Sequence, residues 1–118
     1  MIYVGCDLGS TTGKAVVLAD GEEAGGGGLE ILAWAVEAAG YQPEETARRV
    51  LAEVLDRTGI ETADRFSGIC CTGYGRANVS FISHDISEIT CHARRALWLY
   101  PDTRTVIDVG GQDVGRSR

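Results

Sequence analysis

The chain has 118 residues and a formal net charge of −6, a single-domain size with length enough for a buried core. Apolar residues make up 44% and charged residues 24%, an ordinary globular balance, and the acidic surplus speaks against nucleic acid or an anionic membrane as a partner held by bulk charge. No apolar run approaches the ~20 residues that span a bilayer, and the N-terminus has no basic n-region and no signal-like apolar stretch, so a cytoplasmic location is expected.

Residues 2–8 predict a buried strand and 14–19 a second one. Between them runs Asp7-Leu8-Gly9-Ser10-Thr11-Thr12-Gly13-Lys14, a tight polar turn. Asp20-Gly21 marks the next turn, and the run Gly25 to Gly28 predicts a flexible loop, since ordering four glycines is entropically costly. That run is not expected to cradle phosphate, because no Lys or Ser/Thr follows it at a useful spacing. A third strand is expected over 29–37. Pro43-Glu44-Glu45 opens a helix, proline suiting its first turn and the acids its positive end. Ala47, Val50, Leu51, Val54 and Leu55 carry its apolar face to about residue 58, where Gly59 fits a stop. A fourth strand is expected over 66–72, a second helix over 87–99 with Ser87 as its N-cap, and a fifth strand over 104–109 after the Pro101-Asp102 turn. Gly115-Arg116-Ser117-Arg118 lacks strand character. The order β-β-β-α-β-α-β predicts an α/β fold, a mixed sheet flanked by helices.

The first turn gathers an acid, two glycines, three hydroxyls and a lysine within eight residues. Glycines let backbone N–H groups approach a phosphate, hydroxyls donate to its oxygens, lysine offsets its charge, and an aspartate holds a metal through water. The turn is not a Walker A loop, since Ala15-Val16-Val17 follows Lys14 where Ser/Thr and a helix are required, and a GxGxxG fingerprint is also absent. A second turn of the same logic, Asp108-Val109-Gly110-Gly111-Gln112-Asp113, follows the fifth strand, with Gln112 suited to orienting a water. Thr72-Gly73-Tyr74-Gly75-Arg76 implies a special backbone path, its Arg76 serving an anion or partner or simply facing solvent. Glu88 and His92 share a helical face, either turned to a site or an ordinary surface pair. His84 reads as a loop histidine, and Trp34 and Trp98 as core or interface residues. Cys6, Cys70, Cys71 and Cys91 have neither CxxC nor zinc-finger spacing and read as buried thiols.

The two turns, with Thr72-Gly73-Tyr74-Gly75-Arg76 and Glu88-Ile89-Thr90-Cys91-His92-Ala93 in order between them, resemble the BadF/BadG/BcrA/BcrD ATPase family. These are activators of 2-hydroxyacyl-CoA dehydratases and ATPase subunits of benzoyl-CoA reductases, of the acetate kinase, sugar kinase, Hsc70 and actin superfamily. The resemblance implies a ribonuclease-H-like fold and an ATP-driven single-electron transfer to an acyl-CoA dehydratase or reductase component. It implies ATP/ADP and magnesium as ligands, with Gly9, Ser10, Thr11, Thr12 and Lys14 as one phosphate loop and Gly110 and Gly111 as the other. Asp7 and Asp108 would flank the metal, and Gln112 and Asp108 would serve hydrolysis. Residues 1–103 would form the first lobe and 104–118 the first strand and phosphate turn of a second, truncated lobe. The family's homodimers, or similar heterodimers, share one 4Fe-4S cluster. Its cysteines belong to segments resembling Lys-Cys-Ala-Ala-Gly-Thr-Gly and Ser-Thr-Cys-Thr, which this chain lacks, and none of the four cysteines here matches. The chain is thus expected to be a fragment without ATPase activity by itself. A small-molecule kinase of the same superfamily, or a non-enzymatic ATP-binding module, are the competing readings.

Overall fold

The computed structural model describes residues 1–21, 28–61, 63–75, 84–109 and 114–117, with 63, 108, 109 and 114–117 by backbone alone. They divide into two compact units, Met1–Asp85 and Ile86–Arg118.

In the first unit, β1 (Ile2–Leu8), β2 (Thr12–Asp20) and β3 (Leu29–Ala38) form an antiparallel meander. β4 (Gly68–Thr72) joins the other side of β1 in parallel and carries the two-residue β5 (His84–Asp85), giving the mixed order β3-β2-β1-β4-β5. Strand alternation divides the faces. Ile2, Val4, Cys6 and Leu8 are buried with Ala15, Val17 and Ala19 of β2 and Ile69 and Cys71 of β4. The helix α1 (Pro43–Thr58) completes this core with Ala47, Val50, Leu51 and Val54. Its ends follow the expected chemistry: Pro43 in the first turn, Glu44 and Glu45 at the positive pole, and Gly59 at φ 71 as the left-handed cap.

The segment after β4 is locked onto the end of β1. Gly75 donates its N–H to the Leu8 carbonyl at 3.1 Å. Gly73 sits at φ +95, and a Cβ there would fall 2.5 Å from the Leu8 carbonyl oxygen. A Cβ on Gly75 would fall 2.6 Å from Cβ of Pro43. Only glycine fits at 73, on backbone angle and on space alike. This is the special path that the pair of glycines around Tyr74 predicts.

In the second unit, α2 (Glu88–Leu99) starts at Ser87, whose hydroxyl accepts the Thr90 N–H at 3.4 Å. β6 (Val106–Val109) and β7 (Val114–Ser117) form an antiparallel pair with Asp108 opposite Gly115, and α2 packs against both.

Several expectations are corrected here. Val114–Ser117 is a strand although its side chains do not favour one, because pairing with β6 supplies its backbone partners. The first hairpin is tighter than expected, since Asp7 pairs with Lys14 and Leu8 with Gly13, so β2 begins at Thr12. β4 begins at Gly68 rather than 66, after a short turn of 3-10 helix at Ala63–Arg65. His84 lies in the short β5 rather than in a loop. Trp34 and Trp98 are 60% and 64% exposed, which removes the core half of their reading and leaves the interface half untouched. Trp34 instead lies under the Arg57 guanidinium, 5.8 Å from the ring centroid. The Gly25 to Gly28 reading falls outside the described residues except at Gly28. No helix among the described residues is long and apolar enough to cross a membrane.

Gly73→Ala should lower the unfolding free energy by at least about 2 kcal/mol, through strain at positive φ plus collision with Leu8. Gly59→Ala, at φ 71 with nothing within 4 Å of the new Cβ, should cost only about 1 kcal/mol. Urea denaturation of both variants checks the contrast, and equal losses would refute the packing of residue 73 on Leu8.

Candidate functional site

The opening turn is held by its own backbone. Gly9 donates its N–H to the Thr12 carbonyl at 3.0 Å, closing the reversal, and Ala39 donates to the Thr11 carbonyl at 2.9 Å, tying the turn to the end of β3. The hydroxyl-bearing Ser10 and Thr11 are exposed at its tip. A Cβ on Gly9 would crowd the Thr12 carbonyl oxygen at 3.3 Å and reach within 4.0 Å of Lys14 Nζ, so the bare glycine suits the close reversal and leaves no side chain beside the ammonium group.

Register then places three polar residues side by side on the sheet face opposite the α1 core. Asp7 on β1 pairs with Lys14 on β2 and, across its other edge, with Thr72 on β4. Lys14 Nζ stands 3.6 Å from Asp7 Oδ2, both side chains nearly half exposed at 47% and 45%. An ion pair this open is worth ~0–1 kcal/mol, so the lysine is held loosely. The Thr72 hydroxyl is different: Oγ1 is buried and meets no hydrogen-bond partner among the described residues. Leaving such a group unpaired costs about 1–3 kcal/mol.

On the α1 side of the same turn lies a cavity of about 220 Å³, lined by Leu8, Gly9, Ser10, Thr46, Tyr74 and Gly75 among others. Thr46 is its anchor and is 2% exposed. Its hydroxyl accepts the Gly40 N–H at 2.9 Å and donates to the Gln42 carbonyl at 3.3 Å. Its methyl group fills the place where a Cβ on Gly13 would stand, at 2.4 Å. The sequence expectations pass over Thr46. Its signal is the four-residue spacing to Val50 and Val54, which puts a hydroxyl on the buried stripe of α1.

Of the predicted site residues, Asp7, Gly9, Ser10, Thr11, Thr12 and Lys14 come together at the β1–β2 turn. Gly110, Gly111, Gln112 and Arg76 lie outside the described residues. Asp108 is placed by backbone only, on β6 of the second unit. His92 is exposed on α2 and Glu88 is half-buried one turn before it.

The chain is similar to known proteins over nearly its whole length. The family model described as the BadF/BadG/BcrA/BcrD ATPase family matches residues 4–115. The chain is 39% identical over 113 residues to a 2-hydroxyisocaproyl-CoA dehydratase activator of Clostridioides difficile, covering 96% of this chain and 39% of that protein. It is 38% identical over 113 residues to an activator of lactoyl-CoA dehydratase from Anaerotignum propionicum, covering 96% of this chain and 40% of the relative. Among solved structures, an activator of the 2-hydroxyisocaproyl-CoA dehydratase from Clostridium difficile with bound ADPNP superimposes with a TM-score of 0.77 at 38% identity, covering 97% of this chain and 39% of that one. The chain thus spans 39–40% of the length of these relatives. The expected α/β fold of the actin, Hsc70 and sugar kinase type is borne out by this likeness and by the mixed sheet with its packed helix.

The cysteines bear on the cluster that the family implies. Cys6 and Cys71 are buried neighbours on paired strands, while Cys70 and Cys91 are half-buried. Burial, and then the charges of Cys71, Asp7 and Cys70, push the Cys6 thiol from the ordinary 9.0 up to about 12. Cys6 is only 4% exposed and packed in the apolar core, not on a surface that a second chain could share, so it does not suit a ligand to a bridging cluster. No group of three or more His, Cys, Asp or Glu is placed to hold a metal among the described residues. Because the folded-state pKa is raised, the thiol favours the native state fully below pH 9 and withdraws that support as pH rises from 9 toward 12. Above pH 9 the unfolding free energy of the wild type should therefore fall more steeply than that of Cys6→Ala, by about 1.4 kcal/mol per pH unit. Parallel slopes in urea titrations at several pH values would contradict this.

Proposed function

The chain belongs to the BadF/BadG/BcrA/BcrD ATPase family, and from that premise we propose that it carries one phosphate-binding jaw of an ATP-driven activator. The whole protein would pass single electrons to a 2-hydroxyacyl-CoA dehydratase or a benzoyl-CoA reductase component, as a homodimer or similar heterodimer in the cytoplasm. The observation that carries this reading is the Lys14–Asp7 pair beside the open Gly9 turn, a loosely held cation next to a cradle without a side chain.

The donor set fits a magnesium nucleotide. Its exposed groups are a carboxylate, hydroxyls and an ammonium, hard oxygen and nitrogen groups suited to magnesium and phosphate rather than to a soft metal. MgATP, when bound, supplies a phosphoanhydride whose cleavage releases free energy. Lys14 would turn from Asp7 to the phosphate, because a multiply charged anion outbids one half-exposed carboxylate. Ser10, Thr11 and Thr12 would donate hydrogen bonds at the tip of the turn, and Asp7 would hold the metal through water. The second jaw would come from Gly110 and Gly111, with Asp108 on the metal and Gln112 orienting the attacking water. The boundary between lobes is set near residue 103 in this reading, so that β6 and its turn open the second lobe. If the whole protein carries a 4Fe-4S cluster, its ligands are other than the four cysteines here.

Lys14→Ala in the native protein should weaken MgATP binding about 10- to 100-fold, the loss of a charge-assisted contact worth roughly 1.5–3 kcal/mol. Titration calorimetry measures it, and unchanged affinity would remove the phosphate role from this turn.

A further inference from the structure

Thr72 has no function in the account so far, yet its hydroxyl is buried and unpartnered among the described residues. It stands next to Asp7 in the parallel β1–β4 register, on the side away from Lys14. Its backbone is held firmly, since the next residue, Gly73, is packed against the Leu8 backbone. A threonine at this point could have been a valine of the same shape at no packing cost, and a valine would leave no polar atom unsatisfied. Among the described residues, then, the hydroxyl lacks the hydrogen bond that would offset its burial.

We propose that Thr72 is a positioning residue that takes over Asp7 when Lys14 leaves it for a bound phosphate. This rests on the phosphate role proposed for the turn. In the state described, Lys14 lies 3.6 Å from Asp7 Oδ2, too long for a strong hydrogen bond and half exposed to solvent. Once the ammonium group turns to phosphate, Asp7 loses its counter-charge and its orientation together. Thr72 Oγ1, its neighbour on the other strand, then donates a hydrogen bond to the Asp7 carboxylate and keeps that group aimed at the water shell of the metal. The exchange forms one hydrogen bond as one ion pair is given up, and no proton changes owner.

The experiment is ADP binding to the native protein, with magnesium and with EDTA, for wild type, Thr72→Val and Thr72→Ser, alongside the melting temperature without nucleotide. Thr72→Val should melt higher than wild type without nucleotide, because the orphan hydroxyl is gone. It should bind Mg-ADP about tenfold more weakly while binding metal-free ADP as wild type does. Thr72→Ser, which keeps the hydroxyl, should restore Mg-ADP binding to within about twofold of wild type. A valine variant with unaltered Mg-ADP affinity overturns this proposal alone. Equal loss in the valine and serine variants overturns it too, since the methyl group and not the hydroxyl would then matter. A wild type that binds no ADP in either condition overturns the phosphate reading and this proposal with it.

Discussion

The backbone of Leu8 is the point on which the site depends. It ends the central strand of the five-stranded sheet, its side chain is among the most deeply buried in the core, and its carbonyl accepts the N–H of Gly75. Gly73 approaches that same backbone so closely that no side chain fits between. The strand end is thus gripped by the core on one face and by the loop after β4 along its edge. One residue further on, the chain reverses through Gly9 to Thr12. A turn of small polar residues has little packing of its own to hold it, and here it inherits rigidity from the strand that delivers it.

The same anchoring sorts the chemistry onto two faces. Strand alternation sends Leu8 inward and Asp7 outward, and the antiparallel and parallel registers then deliver Lys14 and Thr72 to either side of Asp7. A slip of one residue in β2 would bury Lys14 and break the row. Gly13, opposite Leu8, faces the core and meets Thr46 of α1, so the helix sets how near it can lie to the hairpin. Thr46 also ties the end of β3 to the first turn of α1 through Gly40 and Gln42. Small residues on the core side and polar residues on the open side make the turn at once tightly seated and open to solvent.

Much of this was legible in the amino-acid order. The apolar alternation of residues 2–8, the proline and acids opening α1, Gly59 closing it and Ser87 capping α2 all rest on local chemistry, and each is found where local chemistry puts it. The polar turn stands out because Gly, Ser, Thr and Lys between two apolar strands have few other uses. What local order does not reveal is what lies across from what. The row Lys14–Asp7–Thr72 joins residues more than sixty positions apart and exists only through the β1–β4 register. Thr46 was hidden because a threonine within an apolar helical stripe reads as an interruption, until Gly13 and Gly40 are seen to need its methyl group and hydroxyl. The exposure of Trp34 follows from its place on the outer face of β3, where only the Arg57 guanidinium is recorded near its ring among the described residues.

The central claim is that nucleotide phosphate meets this chain on the open face of the β1–β2 turn. Amide chemical-shift mapping of the native protein during a Mg-ADP titration tests it most directly. The account predicts the largest changes at Gly9 through Lys14 and at Thr72, saturating together. Changes centred on Gly40, Tyr41, Thr46 and Tyr74 around the cavity, with Lys14 and Thr72 unmoved, would contradict it.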